Sequence, residues 1–264
     1  MNAPFVPGSV GRDQRLDVFR GLALITIFIN HVPGNLYENL TSRNFGFSDA
    51  AEAFVLMSGI AVGLAYSRGF RERALFSACM KVWRRAGVLY VTHIVTSITA
   101  IALVAGGALY LGVFEMLGRI NFGPLLTEPL QTMVGLPLLG HQLGYFNILP
   151  LYAVLLLISP FYIVIGLRSP LTLIGMAVGI WFLSGTFRLN LPNYPNPGGW
   201  FFNPVAWQLV YAVGIAGGLC MLEGRKLVPY RPWFFWACTV FLVFSCVWVS
   251  LRAGALPGHD MLPF

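Results

Sequence analysis

Apolar positions in this chain neither alternate nor mark one face of a helix. They run on continuously between clusters of Gly, Pro and Arg. A helix crosses the hydrocarbon core of a bilayer with roughly 20 such residues. On that basis the pattern predicts seven spans, at 17–33, 49–67, 86–112, 146–166, 171–187, 204–222 and 232–251. A transmembrane barrel would instead need alternating stretches of about 10 residues. The predicted fold is therefore all-α, a polytopic bundle of about seven spanning helices. Repeats, heptads and disordered linkers are not evident, so a single transmembrane domain over residues 1–264 accounts for the whole sequence.

Composition agrees: 57% of residues are hydrophobic and 10% charged, with a mean hydropathy of +0.72. A water-soluble surface cannot be built from such material, since soluble chains carry about a quarter charged residues. The lipid bilayer is the first partner implied. A net charge of +7 would suggest nucleic acid in a soluble protein, but here Lys and Arg sit in short connections beside the spans. With the N-terminus in the cytoplasm, twelve of them, from Arg12 and Arg15 to Arg225, Lys226 and Arg231, fall on the inner side. Four, Arg43, Arg119, Arg188 and Arg252, fall outside. That asymmetry fixes the orientation and removes nucleic acid as a partner. The run Gly21 to Asn30 behind Arg12, Arg15 and Arg20 has the look of a signal-peptide core, yet His-Val-Pro-Gly follows it and not a cleavage site. It is read as a retained first helix. Cys79, Cys220, Cys238 and Cys246 lack CxxC spacing, so they suggest packing, with neither a disulfide framework nor a metal site.

Three outer segments follow: 34–48, 113–145 and 189–203. The second is expected to hold a short interfacial helix, and the third is a Pro/Asn/Gly turn region ending in an aromatic belt.

Ionisable residues inside a membrane are costly and mark candidate chemistry. The first helix carries Asp17, Arg20 and His31. Arg20 and His31 are 11 positions apart, close to three turns, so they share a face about 16 Å apart along the axis. Taken singly, each has a plain explanation: a snorkelling Arg20 paired with Asp17, and a His31 that caps the outer end. Together they place a cation toward the cytoplasm and an imidazole toward the outside. The second helix opens Ser48-Asp49-Ala50-Ala51-Glu52, with Ser48 as N-cap and two acids at the positive end of the helix dipole. Capping alone explains Asp49; it explains Glu52 less well, because both acids fall on one face near His31. A carboxylate there would orient the imidazole as a general base. Ser58-Gly59 offers a nucleophile in principle, but small residues more often serve helix contacts.

Lys81 to Arg85 reads first as the positive anchor of the third helix. Its functional alternative is that Arg84 or Arg85 joins Arg20 in holding the phosphates of a cytoplasmic nucleotide-containing donor. A Gly-rich phosphate loop is missing, which argues against ATP. His93 is expected to be a hydrogen-bonded core residue. His141 is expected to be either solvated or a second substrate contact.

The runs Arg15-Leu-Asp-Val-Phe-Arg-Gly-Leu-Ala-Leu, Phe28-Ile-Asn-His-Val-Pro-Gly-Asn, Arg43-Asn-Phe-Gly-Phe-Ser-Asp-Ala-Ala-Glu-Ala-Phe-Val and Trp200-Phe-Phe-Asn-Pro-Val-Ala-Trp-Gln-Leu resemble the OpgC family. These are membrane succinyltransferases of osmoregulated periplasmic glucans, within the wider acyltransferase-three group. The resemblance is most specific over residues 12–67 and 198–214. It implies a bundle of about ten helices, so this chain is expected to be short at its C-terminal end. It also implies acyl-CoA, with succinyl-CoA foremost, as a cytoplasmic co-substrate and no tightly bound cofactor. The acyl group would pass to a hydroxyl of a periplasmic carbohydrate acceptor across the bacterial inner membrane. On this resemblance Arg20 takes a donor-side role, His31 becomes the base, and Asp49 or Glu52 orients His31 or contacts the sugar. Two rival readings remain: a transporter or flippase of an anionic solute, with Arg20, Asp17 and His31 lining its path, and an inactive acyltransferase fragment.

Overall fold

In a computed structural model, which describes residues 14–32 and 34–252, the chain is a helical bundle without strands among those residues. Its long helices are α1 (Gln14–His31), α2 (Ala50–Arg71), α3 (Leu75–Leu111), α7 (Ile148–Arg168), α8 (Pro170–Phe187), α9 (Pro204–Leu222) and α10 (Pro232–Arg252). The outer connection between α3 and α7 contains three short helices, α4 (Met116–Arg119), α5 (Gly123–Thr127) and α6 (Pro129–Gly135), where one was expected. Six of the seven predicted spans are long and apolar enough to cross a membrane. The exception, α1, carries Arg15, Asp17 and Arg20 within its 18 residues. The chain is a multi-pass membrane protein. Arg12, one of the predicted inner cations, lies outside the described residues.

Local signals set the helix limits. Pro at the first position, where the missing N–H costs nothing, opens α8 and α9, and the side chains of Ser169 and Asn203 accept from Thr172 and Val205 at 3.2 and 3.0 Å. Left-handed backbone at Gly112 (φ 68°) closes α3. One boundary departs clearly from the sequence reading. The third helix starts at Leu75, not 86, so Lys81, Arg84 and Arg85 stand on the helix itself. Nothing between Ala74 and Gly112 breaks it. At 37 residues it is about 55 Å long, well beyond a core of about 30 Å.

The centre of the bundle is the contact of α2 with α9. Gly59 and Gly63 on α2 face Gly214 and Gly218 on α9, two GxxxG pairs meeting each other. A Cβ added at Gly59 would sit 2.3 Å from the Tyr211 carbonyl oxygen, and one at Gly214 would sit 2.2 Å from that of Leu56. Small residues permit this backbone approach, which drives association where lipid removes the hydrophobic incentive. The sequence assignment of Ser58-Gly59 to packing agrees with this. Around the pair, α3, α7 and α8 add Val82, Leu89, Leu155, Leu156, Ile163 and Leu173 to a core that also holds Leu219 of α9. Half of the apolar stretch of α7 and of α9 is buried, against 6% of that of α10. α10 meets the rest through Phe47, whose ring lies 6.2 and 6.4 Å from Phe241 and Phe244.

At the end taken as cytoplasmic, Glu223 binds Arg71 across 2.7 Å and also Arg225. Partial burial pushes the Glu223 carboxyl up, but these two guanidiniums outweigh it and hold the group below its ordinary range. At the outer end the segments 113–145 and 189–203 lock together. Cβ atoms at Gly135 and Gly140 would lie 2.5 and 3.0 Å from the Tyr194 carbonyl oxygen, and Tyr90 on α3 donates to the Pro137 carbonyl at 2.9 Å. His141, expected to be solvated or to touch substrate, is instead fully buried under this cap, and neither ring nitrogen has a hydrogen-bond partner. Burial holds its pKa below the ordinary value of 6.5.

This packing has three testable consequences. Gly214→Val places a branched side chain against a backbone atom that cannot move, and overpacking of this kind costs about 1–3 kcal/mol or more. Loss of monodisperse protein on size exclusion is expected. Gly106→Ala, with open space around it, should keep or gain about 0.5–1 kcal/mol. Burial makes His141 protonate less readily in the folded than in the unfolded state, so the unfolded state binds more protons as pH falls. Stability present above pH 6.5 is therefore lost on acidification. Melting temperatures at pH 7.5 and 5.5 should show that decline, and His141→Gln should reduce it.

Candidate functional site

The outer ends of α1, α2 and α9 meet beneath the cap. Asp49 is the N-cap of α2, one residue later than the expected Ser48. Its Oδ1 accepts from the Ala50 amide at 2.6 Å and from Asn30 Nδ2 at 2.8 Å. Glu52 reaches back to accept from the Asp49 amide at 2.8 Å, completing a capping box. The hydrogen bonds of both acids thus hold the α2 terminus and the residue beside His31, not the imidazole. The expected carboxylate on His31 is replaced by a local acceptor: Nδ1 lies 2.5 Å from the carbonyl oxygen of Ile27, one turn back on α1. A carbonyl can only accept, so Nδ1 is the donor and the neutral ring has its lone pair on Nε2. The tautomer a general base needs is set by the helix itself.

The imidazole meets the edge of Tyr145, with ring centroids 4.1 Å apart and planes at 68°. Both line an outer cavity of about 340 Å³ with Asn121, Gln142, Asn147, Asn193, Phe201 and Phe202. Amides and aromatic faces dominate it, and among the described residues no carboxylate lines it. Asn121 ties its walls together, donating to the Gln142 carbonyl at 3.1 Å and accepting from Asn196 at 3.2 Å. Apart from His31 and the Phe201-Phe202 run, these residues were not singled out in the sequence. Isolated Asn and Gln residues in a turn region give no spacing signal; only folding three segments together makes them neighbours.

Deeper in the bundle, Arg20 lies against α2. Its guanidinium carbon is 5.7 Å from the centroid of Phe54, a favourable cation–π position, and its buried Nε has no hydrogen-bond partner. Phe54 continues through Tyr152 to Tyr211, with centroids 6.4 and 6.3 Å apart. Tyr152 lies within electrostatic reach of Arg20 and Arg85. Ser58, fully buried on α2, also acts on Tyr152 without making a well-formed hydrogen bond. Tyr211 is bonded to Ser159 at 2.7 Å. Arg20 thus lies on this strip, and Arg85, exposed on α3, acts on its Tyr152 only through its charge. Arg84 is turned elsewhere, into a shallow groove with Phe76, Met80 and Trp83. His93, expected to be hydrogen-bonded in the core, is fully buried near the Phe146 backbone, but neither ring nitrogen makes a well-formed bond.

The arrangement is a cation-bearing interior strip below an uncharged outer cavity, with an oriented imidazole at the cavity. A family model described as OpgC protein matches residues 12–262, nearly the whole chain. No curated protein and no solved structure matched the chain. On the strength of that match, the chain belongs to the OpgC family, which implies a membrane transferase of the acyltransferase kind.

Proposed function

We propose that the protein is a transmembrane O-acyltransferase of the bacterial inner membrane. It moves an acyl group, succinyl in particular, from cytoplasmic acyl-CoA to a hydroxyl of a periplasmic glucan or related carbohydrate. The observation that carries this reading is His31, whose Nδ1 is tied to Ile27 while the ring borders a cavity of amides and aromatic faces. Such a lining suits a neutral polyhydroxyl acceptor.

In the reaction, the acceptor hydroxyl attacks the thioester carbonyl carbon. The new C–O bond forms as the C–S bond breaks. The hydroxyl proton passes to Nε2 of His31 and from there to the departing CoA thiolate. Arg20 and Arg85 attract the anionic donor along the Tyr152 strip. Asp49, through Asn30, positions the outer end of α1 and with it His31. Holding two reactants from opposite sides supplies the orientation that lowers the barrier.

The test is CoA release by protein in nanodiscs, supplied with succinyl-CoA and a linear glucan. His31→Ala should lower kcat about 10²–10⁴-fold, the usual worth of a general base, with the fold intact by size exclusion. Arg85→Ala should raise the KM for acyl-CoA roughly tenfold, and Arg84→Ala should change it little. A folded His31→Ala protein with full activity would sink the mechanism. Movement of an anionic solute across the membrane without CoA release would replace it with transport.

A further inference from the structure

The cytoplasmic connection from α9 to α10 forms a groove well away from His31 and Arg20. Leu227 fixes this connection: its side chain packs against the core, with Cδ2 3.9 Å from where a Cβ on Gly217 of α9 would stand. The flanking residues Lys226 and Val228, with Tyr230, make one wall of a cavity of about 320 Å³. The other wall is α10. The Arg231 carbonyl accepts from the Phe235 amide at 3.0 Å, so helical spacing begins there. Arg231, Phe234, Phe235 and Cys238 line the cavity, a pattern of three, four and seven residues that places them on one helix face.

The groove is polarised along that face. Lys226 and Arg231 stand at its cytoplasmic end, and Cys238 lies about 10 Å deeper, past two phenyl rings. Both cations are exposed. Among the described residues no carboxylate lines the cavity or pairs with either of them. Glu223, the nearest acid in the sequence, is already held by Arg71 and Arg225. Trp233 and Trp236, exposed near the start of α10, mark the level of the membrane interface. Only 6% of the apolar stretch of α10 is buried, and its packing runs to Ser42–Asn44 and Phe47. Its cytoplasmic end is thus held mainly by the connection itself.

Cations at the aqueous end and aromatic walls toward the bilayer match an amphiphile that presents a phosphate to the cytoplasm and a chain to the hydrocarbon. A zwitterionic headgroup brings its own ammonium, which finds no carboxylate in the groove. A headgroup with a net negative charge gains two cations without that competition. We propose that this groove binds an anionic phospholipid of the cytoplasmic leaflet. Lys226 and Arg231 hold its phosphate, and an acyl chain lies along Phe234, Phe235 and Cys238. The lipid fills the space between the connection and α10 and keeps the cytoplasmic end of that helix in place.

Cys238 is an exposed thiol within the groove, and Cys246, further along α10, serves as an internal reference. The full chain in dodecyl maltoside is alkylated with N-ethylmaleimide, with phosphatidylglycerol or phosphatidylcholine added, and both thiols are followed by peptide mass spectrometry. Phosphatidylglycerol should slow alkylation of Cys238 at least roughly tenfold relative to Cys246, and phosphatidylcholine should do much less. Lys226→Gln combined with Arg231→Gln should remove that difference. Arg73→Asn combined with Arg168→Gln, an equal loss of charge elsewhere on the cytoplasmic side, should keep it. Equal protection by the two lipids in the wild type, or protection that survives the Lys226 and Arg231 substitutions, would overturn the proposal. So would equal protection by inorganic phosphate or by succinyl-CoA, which would make the groove a site for a soluble anion or for the acyl donor. Protection without lipid that rises with protein concentration would assign the groove to a second copy of the chain instead.

Discussion

The backbone contact of α2 with α9 sets the level of everything above it. Two glycines four residues apart on each helix let the carbonyl of Tyr211 approach Gly59 and that of Leu56 approach Gly214 to where a Cβ would stand. In a bilayer, shape and close approach do the work that the hydrophobic effect does in water. Each helix then delivers a wall of the outer cavity. The start of α2 holds α1 through Asp49 and Asn30, and the start of α9 follows directly on Phe201 and Phe202. The α7 and α8 helices pack from the other side, where Gly166 lies so near Leu219 and Leu173 that a Cβ would be 2.7 and 3.0 Å away.

His31 is oriented by its own helix, which changes what its basicity depends on. A carboxylate partner would stabilise the imidazolium strongly and would itself titrate. The Ile27 carbonyl fixes the same tautomer with a dipole that does not titrate. Asp49 is left to serve the junction of α1 and α2, and its loss would displace the imidazole without removing a group from the reaction. On the proposed reading, that separates positioning from proton transfer between two residues that sequence spacing had placed in one pair.

The spans were legible because long apolar runs have few alternatives, and their limits agree to within a few residues for α7, α8, α9 and α10. The start of α3 was not, because residues 75–85 mix Phe, Met and Trp with Lys and Arg, yet contain no Pro or Gly to stop a helix. Asp49 and Glu52 were placed correctly beside the outer end of α1 but with the wrong partner. Short acids find their own helix amides first, a local preference that spacing alone does not rank against a distant imidazole. From its Gly-rich surroundings His141 was expected to be solvated or to touch substrate. Those glycines are what let the Tyr194 backbone close over it. The outer cavity was the least legible part, because Asn121, Tyr145 and Asn193 come from separate turn regions and carry no common period.

Charge is divided between the two ends of the site. A guanidinium within a membrane bundle is expensive unless hydrated or paired, and the face of Phe54 offsets only part of that. A fixed carboxylate partner would stabilise Arg20 more but would also occupy it. On the proposed reading, its buried, unpartnered Nε and Arg85, which acts on the same tyrosine, favour an incoming anion over the empty state. The outer cavity has no carboxylate, and beside His31 it offers only neutral amides and aromatic faces, among the described residues. In that reading an anionic reactant is drawn from one side and a neutral one accepted from the other. Each is disfavoured at the opposite station, because a charge gains no partner in the outer cavity and a neutral sugar gains nothing from the cations. On the proposed reading, this asymmetry keeps donor and acceptor from exchanging places, and the two meet where His31 stands.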